Sequence, residues 1–290
     1  MSPFEKYLLH KNYSVKTVAT YCKYQLLFER WLSDENYRVN ELKHRHILAF
    51  IQKLSAEGKS KKHINMHLTI LRHYFNCLVQ QQKVKDNVAQ GIVLKGTSRR
   101  LPHNLLSKQQ LDDIYENYAL SGSVSQRNKV LLSLMIYQGL GTREIKNLVL
   151  DHVHLEQGTI EISGSKKSNY RVMVLEGKQI MLLHQYISQH RQSILQYNNK
   201  QSDALIVSVG KSELLQNTIN YLIMQLKKEY PFLININQIR TSVISEWLKT
   251  ENLRKVQYLC GHRFVSSTER YQQNNLDDLK NEVQHYHPMK

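Results

Sequence analysis

The chain has 290 residues, of which 41% are hydrophobic, and its 40 Lys and Arg against 24 Asp and Glu give a net charge of +16. This length favours two domains, because one domain usually holds on the order of 100 to 200 residues. No apolar run approaches the roughly 20 residues that cross a bilayer, and residues 1–14 lack the apolar centre of a secretory signal, so we expect a soluble intracellular protein.

The positive charge is concentrated in the first third of the chain. Residues 1–100 hold 18 basic and 7 acidic residues, a difference of +11, whereas the remainder holds 22 and 17. A field of this sign attracts polyanions, and nucleic acid is the commonest polyanion inside cells. A membrane face or solubility alone would also explain a basic surface. We expect nucleic acid as the partner.

Residues 1–94 are predicted to form a helical domain. Ser14 and Ser60 each precede a run with helical apolar periodicity, as an N-cap residue does, and a third helix is expected between these runs. The apolar stripes are Val18, Tyr21, Cys22, Phe28 and Leu32; then Ile47, Leu48, Ile51 and Leu54; then Ile64, Leu68, Leu71, Phe75 and Leu78. We interpret the stripes as core. The candidate phosphate contacts are Lys59, Lys61 and Lys62, with a solvated face as the alternative for each lysine.

Residues 95–105, KGTSRRLPHNL, are predicted to be a basic linker. They combine Gly, Ser, Pro and basic residues with little apolar content. Arg99 and Arg100 are therefore further candidate DNA contacts. A second, mostly helical domain is predicted over 106–290, and its first helix begins after Ser107.

A β-hairpin is predicted within this second domain. After an apolar helix over 126–138, the stretch TIEISGSKKSNYRVMVLEGK, residues 159–178, changes to a period of two around a polar turn. The alternating residues are Ile160 and Ile162, then Val172 and Val174. Such alternation on both sides of a turn is typical of two antiparallel strands.

Nucleotide and metal chemistry have no motif in the sequence. GxxxxGK[ST], GxGxxG and GxSxG are absent, and the close histidine pairs lack an HExxH or cysteine partner. These pairs are His44 with His46 and His152 with His154. The three cysteines, Cys22, Cys77 and Cys260, are far apart, and we expect them to be reduced and structural. A reaction without cofactor or metal is therefore expected.

Several side chains suited to phosphate chemistry lie at the ends of elements. Arg240 begins an apolar helix, where its guanidinium can bind two phosphate oxygens beside the positive helix end. Lys166 and Lys167 lie at the hairpin tip, where an ammonium can protonate a leaving oxygen. His262 follows a glycine that ends a helix, and Tyr271, nine residues later, can act as a nucleophile. Each of them alone is more often a surface, capping or packing residue.

Taken together, these stretches resemble the tyrosine recombinase (phage integrase) family over essentially the whole chain. LRKVQYLCGHRFVSSTERY is similar to the family pattern of an apolar helix, LGH, and TTxxY nine residues after the histidine. NQIRTSVISEWL resembles its HxLRHxxAT box, YQGLGTREIKNLVLDHV its TGLRxSELxxLxxxD box, and SGSKKSNYRVMVL its GKGxKxRxVPL hairpin. SVKTVATYCKYQLLFERWL and KDNVAQGI resemble the helical core-binding domain and its end.

The resemblance implies a role for each of these residues. Tyr271 would be the nucleophile and His262 would assist it. Arg240 would bind the non-bridging oxygens of the phosphate. Lys166 would protonate the departing 5′ oxygen, with Lys167 as a possible substitute.

The sequence departs from the family pattern at two positions. Asn237 occupies the place of the HxxR histidine; it can donate a hydrogen bond but cannot shuttle protons near neutral pH, so some loss of activity is expected. Gly141 occupies the place of the first arginine, and Arg143 follows two residues later. Either Arg143 reaches the phosphate, or another basic residue does, or the charge is missing. Our hypothesis is that Arg143 reaches it through a distorted turn.

By resemblance, the fold is mainly α with a small β-hairpin, arranged as a two-domain DNA clamp. The implied function is site-specific recombination or integration through a 3′-phosphotyrosyl link, for a mobile element. Four protomers would act on two duplexes through a Holliday junction in the bacterial cytoplasm, at the nucleoid, with accessory DNA-bending proteins as possible helpers. The tail LDDLKNEVQHYHP, with Leu276, Leu279 and Val283, would dock on a neighbour or pack on its own domain.

Two other functions stay open. A recombinase-derived DNA-binding accessory protein without catalysis is favoured by Gly141 and Asn237. A type IB topoisomerase-like enzyme shares the tyrosine chemistry but relaxes DNA as a monomer. Covalent trapping on DNA separates the first from a recombinase, and junction formation between two DNAs separates the second.

Overall fold

The computed structural model describes residues 1–96, 104–166, 168–210 and 215–272. The chain divides into two compact units, Met1–Arg99 and Arg100–Lys290. Three predicted features lie outside the described residues. They are most of the linker, with Arg99 and Arg100; the hairpin residue Lys167; and the docking stripe of Leu276, Leu279 and Val283. The domain boundaries at 94 and 105 stay a prediction. In the described part of the chain, no helix has both the length and the apolar character needed to cross a membrane.

The described residues of the first unit, 1–96, form four helices, two of which begin at the predicted caps. They are α1 (Pro3–His10), α2 (Val15–Asp34), α3 (His44–Ala56) and α4 (Lys61–Gln80), with a 3-10 turn at Val39–Glu41. The Ser14 hydroxyl accepts a hydrogen bond from the Thr17 backbone N–H, and the Ser60 hydroxyl accepts one from that of His63. Each satisfies a donor that the helix leaves unpaired, so both predicted helix starts are confirmed.

The core of the first unit is built around Phe28. Its ring centroid lies 5.0 Å from that of Phe50 and 6.0 Å from that of Phe75. The predicted stripe of α4 is buried throughout, but Leu48 in α3 is 47% exposed. Residues at i, i+3, i+4 and i+7 share one helix face, and Leu48 lies about 100° from that face. The expectation that Leu48 is core is therefore wrong.

The second unit is a larger helical body around the buried helix α6. Its helices are α5 (Lys108–Glu116), α6 (Ser123–Ile136), α7 (Thr142–Lys146), α8 (Gly177–Gln185), α9 (Arg191–Asn198), α10 (Leu215–Glu229), α11 (Ile236–Thr250) and α12 (Leu253–Cys260). A π-helical turn, Tyr186–His190, joins α8 to α9, and 266–272 are helical. Ser107 caps α5 as predicted, because its hydroxyl accepts from the Gln110 N–H. These elements confirm the mainly helical fold class.

A three-stranded antiparallel sheet in the order β1-β2-β3 contains the predicted hairpin. Its strands are β1 (Val153–His154), β2 (Thr159–Ile162) and β3 (Arg171–Val174). Ile160 pairs with Met173 and Ile162 pairs with Arg171, and all four side chains are buried. Val174 is 77% exposed. The core face of β3 therefore carries Arg171 and Met173, and a charged partner for Arg171 lies inside the domain.

Candidate active site

The charged partner of Arg171 is Glu144 on α7, which also binds Arg240 on α11. Glu144 Oε1 lies 2.8 Å from Arg171 Nη2, and Glu144 Oε2 lies 2.5 Å from Arg240 Nη1. Burial raises the pKa of the Glu144 carboxyl, but Arg240 and Arg171 outweigh it and hold this pKa below its usual value. The ionised carboxylate thus joins α7, β3 and α11.

The guanidinium of Arg240 is fixed by three carbonyl or carboxylate oxygens. Besides Glu144, it donates to the Gly139 carbonyl at 2.6 Å and to the Cys260 carbonyl at 3.1 Å. An arginine has five N–H donors, and no other hydrogen bond of this guanidinium occurs within the described residues. The side chain keeps 19% exposure. Arg240 is therefore oriented and still has donors for an anion.

Helix α12 ends at Gly261, where only glycine fits. Gly261 has a φ of +67°, and a Cβ there would collide with Arg171 Nη1. Its carbonyl accepts a hydrogen bond of 2.8 Å from the Asn169 N–H, and Ser168 forms an isolated bridge with His262. This pairing fastens the β2–β3 hairpin to the start of the His262 loop.

Lys166 lies in the exposed turn of this hairpin, two residues before the bridge. The turn is closed by the Ser165 N–H, which donates to the Ser168 carbonyl at 2.7 Å. On the other strand, the Tyr258 hydroxyl accepts from the Val172 N–H and donates to its carbonyl, at 3.1 and 3.2 Å. The hairpin base is thus held firmly while the Lys166 side chain extends into solvent. The Tyr258 hydroxyl is therefore engaged in a structural contact.

His262 and Tyr271 are brought together in one stacked pair. Their ring centroids lie 6.1 Å apart with planes 11° apart, and His262 Nδ1 lies 2.9 Å from Thr268 Oγ1. Burial, with the charges of Arg240 and Arg270, lowers the pKa of His262 to about 4, so the imidazole is neutral near pH 7. The Tyr271 ring is 7% exposed and packs on buried residues of α11 and α12. The stretch HRFVSSTERY therefore folds back on itself through a loop and the helical residues 266–272.

Asn237 lies one helical turn before Arg240. It is the second residue of α11, it is exposed, and its side chain makes no hydrogen bond within the described residues. Residues three apart share a helix face, so Asn237 lies on the same side as Arg240. The neighbouring Gln238 instead has a structural role: its buried amide bonds the Ile234 N–H and two backbone carbonyls.

The backbone at Gly141 is regular, so the expected distorted turn is not observed. Gly141 is the N-cap of α7 with φ −86° and ψ 162°, which any residue can adopt, and its N–H donates to Glu144 Oε2 at 2.9 Å. A Cβ at this position would lie 3.8 Å from Arg240 Nη1. Arg143 is exposed on the second position of α7. A contact of Arg143 with phosphate stays a prediction.

Three charged residues of this site had no predicted role. Glu144 and Arg171 stood inside the quoted motifs, and a buried ion pair between them leaves no periodic signal in sequence. Arg270 precedes the predicted nucleophile directly, and its Nη2 donates to the Tyr271 hydroxyl at 2.9 Å. An arginine beside the key tyrosine is the signal that would have identified it.

Comparison with known proteins identifies the family of this chain. Residues 104–277 match the phage integrase family, and residues 2–82 match the phage integrase N-terminal SAM-like domain. The chain belongs to the phage integrase family. The predicted membership among tyrosine recombinases and the predicted activity as a site-specific DNA recombinase are confirmed.

Curated relatives of the family cover nearly the whole chain. Tyrosine recombinase XerD of Oceanobacillus iheyensis is 27% identical over 285 residues, which is 97% of this chain and 95% of the relative. Tyrosine recombinase XerC of Bacillus subtilis is 24% identical over 291 residues, which is 98% of this chain and 95% of the relative.

Solved structures show the same fold. The XerH site-specific recombinase, in a post-cleavage complex with a palindromic difH substrate, matches with a TM-score of 0.75 at 19% identity, over 94% of this chain and 80% of that chain. A lambda integrase dimer bound to a COC′ core site matches with a TM-score of 0.65 at 16% identity, over 92% of each chain.

Proposed function

We propose that the chain cleaves and rejoins double-stranded DNA at a specific site, with Tyr271 as the nucleophile. The observation that supports this most strongly is the stacking of the Tyr271 ring on the His262 imidazole. The positive charge of Arg240 acts on this imidazole, and Glu144 orients the Arg240 guanidinium. A tyrosine, a histidine and an arginine thus belong to one site. A nucleophile, a neutral hydrogen-bonding imidazole and an oriented cation are the groups that phosphoryl transfer needs.

In the proposed step, Tyr271 Oη forms a bond to phosphorus while the bond from phosphorus to the 5′ oxygen breaks. The phenol proton is released to water, and Lys166 gives a proton to the departing 5′ oxygen. The product is a 3′-phosphotyrosyl link and a 5′-hydroxyl. Attack of a 5′-hydroxyl from the partner DNA on this link restores the phosphodiester and releases the tyrosine. The link conserves the energy of the broken bond, so the step is isoenergetic without nucleotide hydrolysis.

His262 and Asn237 would contribute as neutral hydrogen-bond donors. Thr268 engages His262 Nδ1, which leaves Nε2 as the ring nitrogen for a phosphate oxygen. Asn237 would donate its amide N–H to the same phosphate from the first turn of α11. Neither residue is expected to carry a proton between reactants near pH 7.

We also propose that Lys59, Lys61 and Lys62 contact DNA phosphates. All three are exposed at the N-terminal end of α4. Positive side chains are unfavourable there, because the helix dipole already places partial positive charge at that end. A bound phosphate would offset this cost, because its negative charge is attracted both by the lysine ammonium groups and by the positive end of the helix dipole. Arg99 and Arg100 are proposed as further contacts on the basis of sequence.

Assembly and origin are finer proposals. A tetramer acting on two duplexes, help from DNA-bending proteins, origin in a mobile element and a location at the bacterial nucleoid all rest on the family resemblance. A type IB topoisomerase-like activity would need no second duplex, so an assay for Holliday junctions between two labelled duplexes separates it from recombination.

The main alternative is an accessory protein that binds DNA without cleaving it. The absence of a cation at Gly141 and the exposed Asn237 favour it. A nicked suicide substrate decides between the two, because loss of the short 5′-hydroxyl fragment prevents religation and leaves the protein attached. Covalent protein–DNA complex supports the recombinase, and its complete absence under conditions of full DNA binding supports the accessory protein.

A further inference from the structure

Arg270 makes an unusual contact with the residue that follows it. Its Nη2 donates to the Tyr271 hydroxyl at 2.9 Å, and its guanidinium carbon lies 4.8 Å from the Tyr271 ring centroid. Consecutive side chains on a helix normally point about 100° apart and do not meet. The arginine side chain must therefore fold back across the ring to reach the hydroxyl.

This guanidinium has donors to spare. Only one of its five N–H groups has a hydrogen-bond partner among the described residues, and the buried Nε has none. Burying such a group without a partner is costly. An anion beside the tyrosine hydroxyl would accept hydrogen bonds from the remaining Nη donors of this half-buried guanidinium.

The site has no cation at Gly141, which occupies the place of the first arginine in the family pattern. At Gly141 an added Cβ would lie 3.6 Å from Glu144 Oε2 and 3.8 Å from Arg240 Nη1, so a side chain there would lie beside Arg240. Glycine leaves that place without charge. The transition state of phosphoryl transfer spreads negative charge over the non-bridging oxygens, and each donor aimed at this charge contributes on the order of 3 kcal/mol.

We propose that Arg270 supplies the second guanidinium of the active site, binding a non-bridging oxygen of the phosphate that Tyr271 attacks. The proposal rests on the proposed function. A reacting oxygen approaches phosphorus to about 3–3.5 Å before attack, so a guanidinium already bonded to that oxygen has the non-bridging oxygens within reach of its other N–H groups. Arg270 stays protonated throughout and exchanges no atom with the substrate.

Two observations favour Arg270 over Arg143. Among the described residues, no other side chain hydrogen-bonds the Tyr271 hydroxyl. The charge of Arg270 also reaches His262, where it acts with that of Arg240 to lower the imidazole pKa. Arg143, by contrast, is exposed on α7 and has no side-chain hydrogen bond or ion pair in the described structure.

The test measures single-turnover cleavage of a nicked suicide substrate by the full chain at saturating protein. Arg270→Ala should lower the cleavage rate about a hundredfold or more, the effect of one lost transition-state donor, with unchanged melting temperature. Arg270→Lys should retain part of the rate. Arg263→Ala, which removes an exposed arginine seven residues earlier, is the matched control and should cleave at the wild-type rate.

A second variant separates a charge role from a packing role. Gly141→Arg requires no strained backbone, and its guanidinium would emerge beside Arg240. In the Arg270→Ala background it should raise cleavage at least tenfold, which repacking around Tyr271 cannot explain.

Three results would overturn the proposal. Cleavage by Arg270→Ala at the wild-type rate or faster would show that the hydrogen bond from Arg270 to the Tyr271 hydroxyl only restrains the nucleophile. Failure of Gly141→Arg to rescue, or a larger loss in Arg143→Ala than in Arg270→Ala, would place the charge elsewhere. Absence of any covalent complex with the wild-type protein would instead contradict the proposed function, and the role of Arg270 with it.

Discussion

Arg171, which is fully buried, forms an ion pair of 2.8 Å with Glu144 and thereby ties the β-hairpin to the helix start at Gly141. Because the same carboxylate holds Arg240, this pair links the hairpin that carries Lys166 to the arginine proposed to bind the phosphate. The position of two proposed catalytic groups therefore depends on a residue that is remote from solvent.

Replacing Arg171 with Met should destabilise the second unit and slow cleavage. Removing one partner of a buried pair typically costs about 3 kcal/mol or more, and we expect this loss in the free energy of unfolding from denaturant titration. Lys255→Met is the control, since it breaks an exposed pair with Glu251 and should cost less than about 1 kcal/mol. Equal stability of the two variants would show that the Arg171 pair has no special role.

Gly261→Ala should be damaging although it adds a single methyl group. The positive φ disfavours any side chain, and the new Cβ would displace the Arg171 guanidinium. We expect a loss of about 1–3 kcal/mol in unfolding free energy and a slower cleavage step. Gly177→Ala is the control, because a Cβ there meets no atom within 4 Å. If Gly261→Ala is as stable as this control, the Arg171 guanidinium does not pack against Gly261 as described.

Stability should depend on pH through His262. The pKa of its imidazole is 6.5 when unfolded and about 4 when folded, so the unfolded chain binds the proton more tightly. The contribution of His262 is therefore constant above pH 6.5 and is lost as the pH falls towards 4. The unfolding free energy of wild type minus that of His262→Gln, measured from pH 8 to pH 4, should be constant above pH 6.5 and fall below it. A difference that stays constant down to pH 4 would show that the folded imidazole titrates normally.

DNA binding should lose salt dependence when the α4 lysines are replaced. Each phosphate contact contributes about 0.9 to the slope of log affinity against log salt concentration. The triple variant Lys59→Gln, Lys61→Gln, Lys62→Gln should therefore reduce the slope by about 2.7 if all three bind phosphate. Lys255→Gln, on the second unit, should leave it unchanged. An unchanged slope in the triple variant would show that these lysines are solvated and do not contact phosphate.

The sequence predicted the caps at Ser14, Ser60 and Ser107 because capping and helical periodicity are local properties. It misplaced Leu48, since the face that a helix buries depends on its partners. The ion pair of Arg171 with Glu144 joins residues far apart in the chain, and no local pattern encodes it. The juxtaposition of Arg270 with the tyrosine hydroxyl likewise depends on how an arginine folds back over the neighbouring ring.

Covalent trapping on a nicked suicide substrate tests the central claim most directly. The wild-type protein should form a covalent complex with DNA, and Tyr258→Phe should form it too, since that hydroxyl binds the backbone of Val172. Tyr271→Phe should bind the same DNA with unchanged affinity and form no covalent complex. A covalent complex formed by Tyr271→Phe would contradict the account, because the attacking oxygen would then belong to another residue.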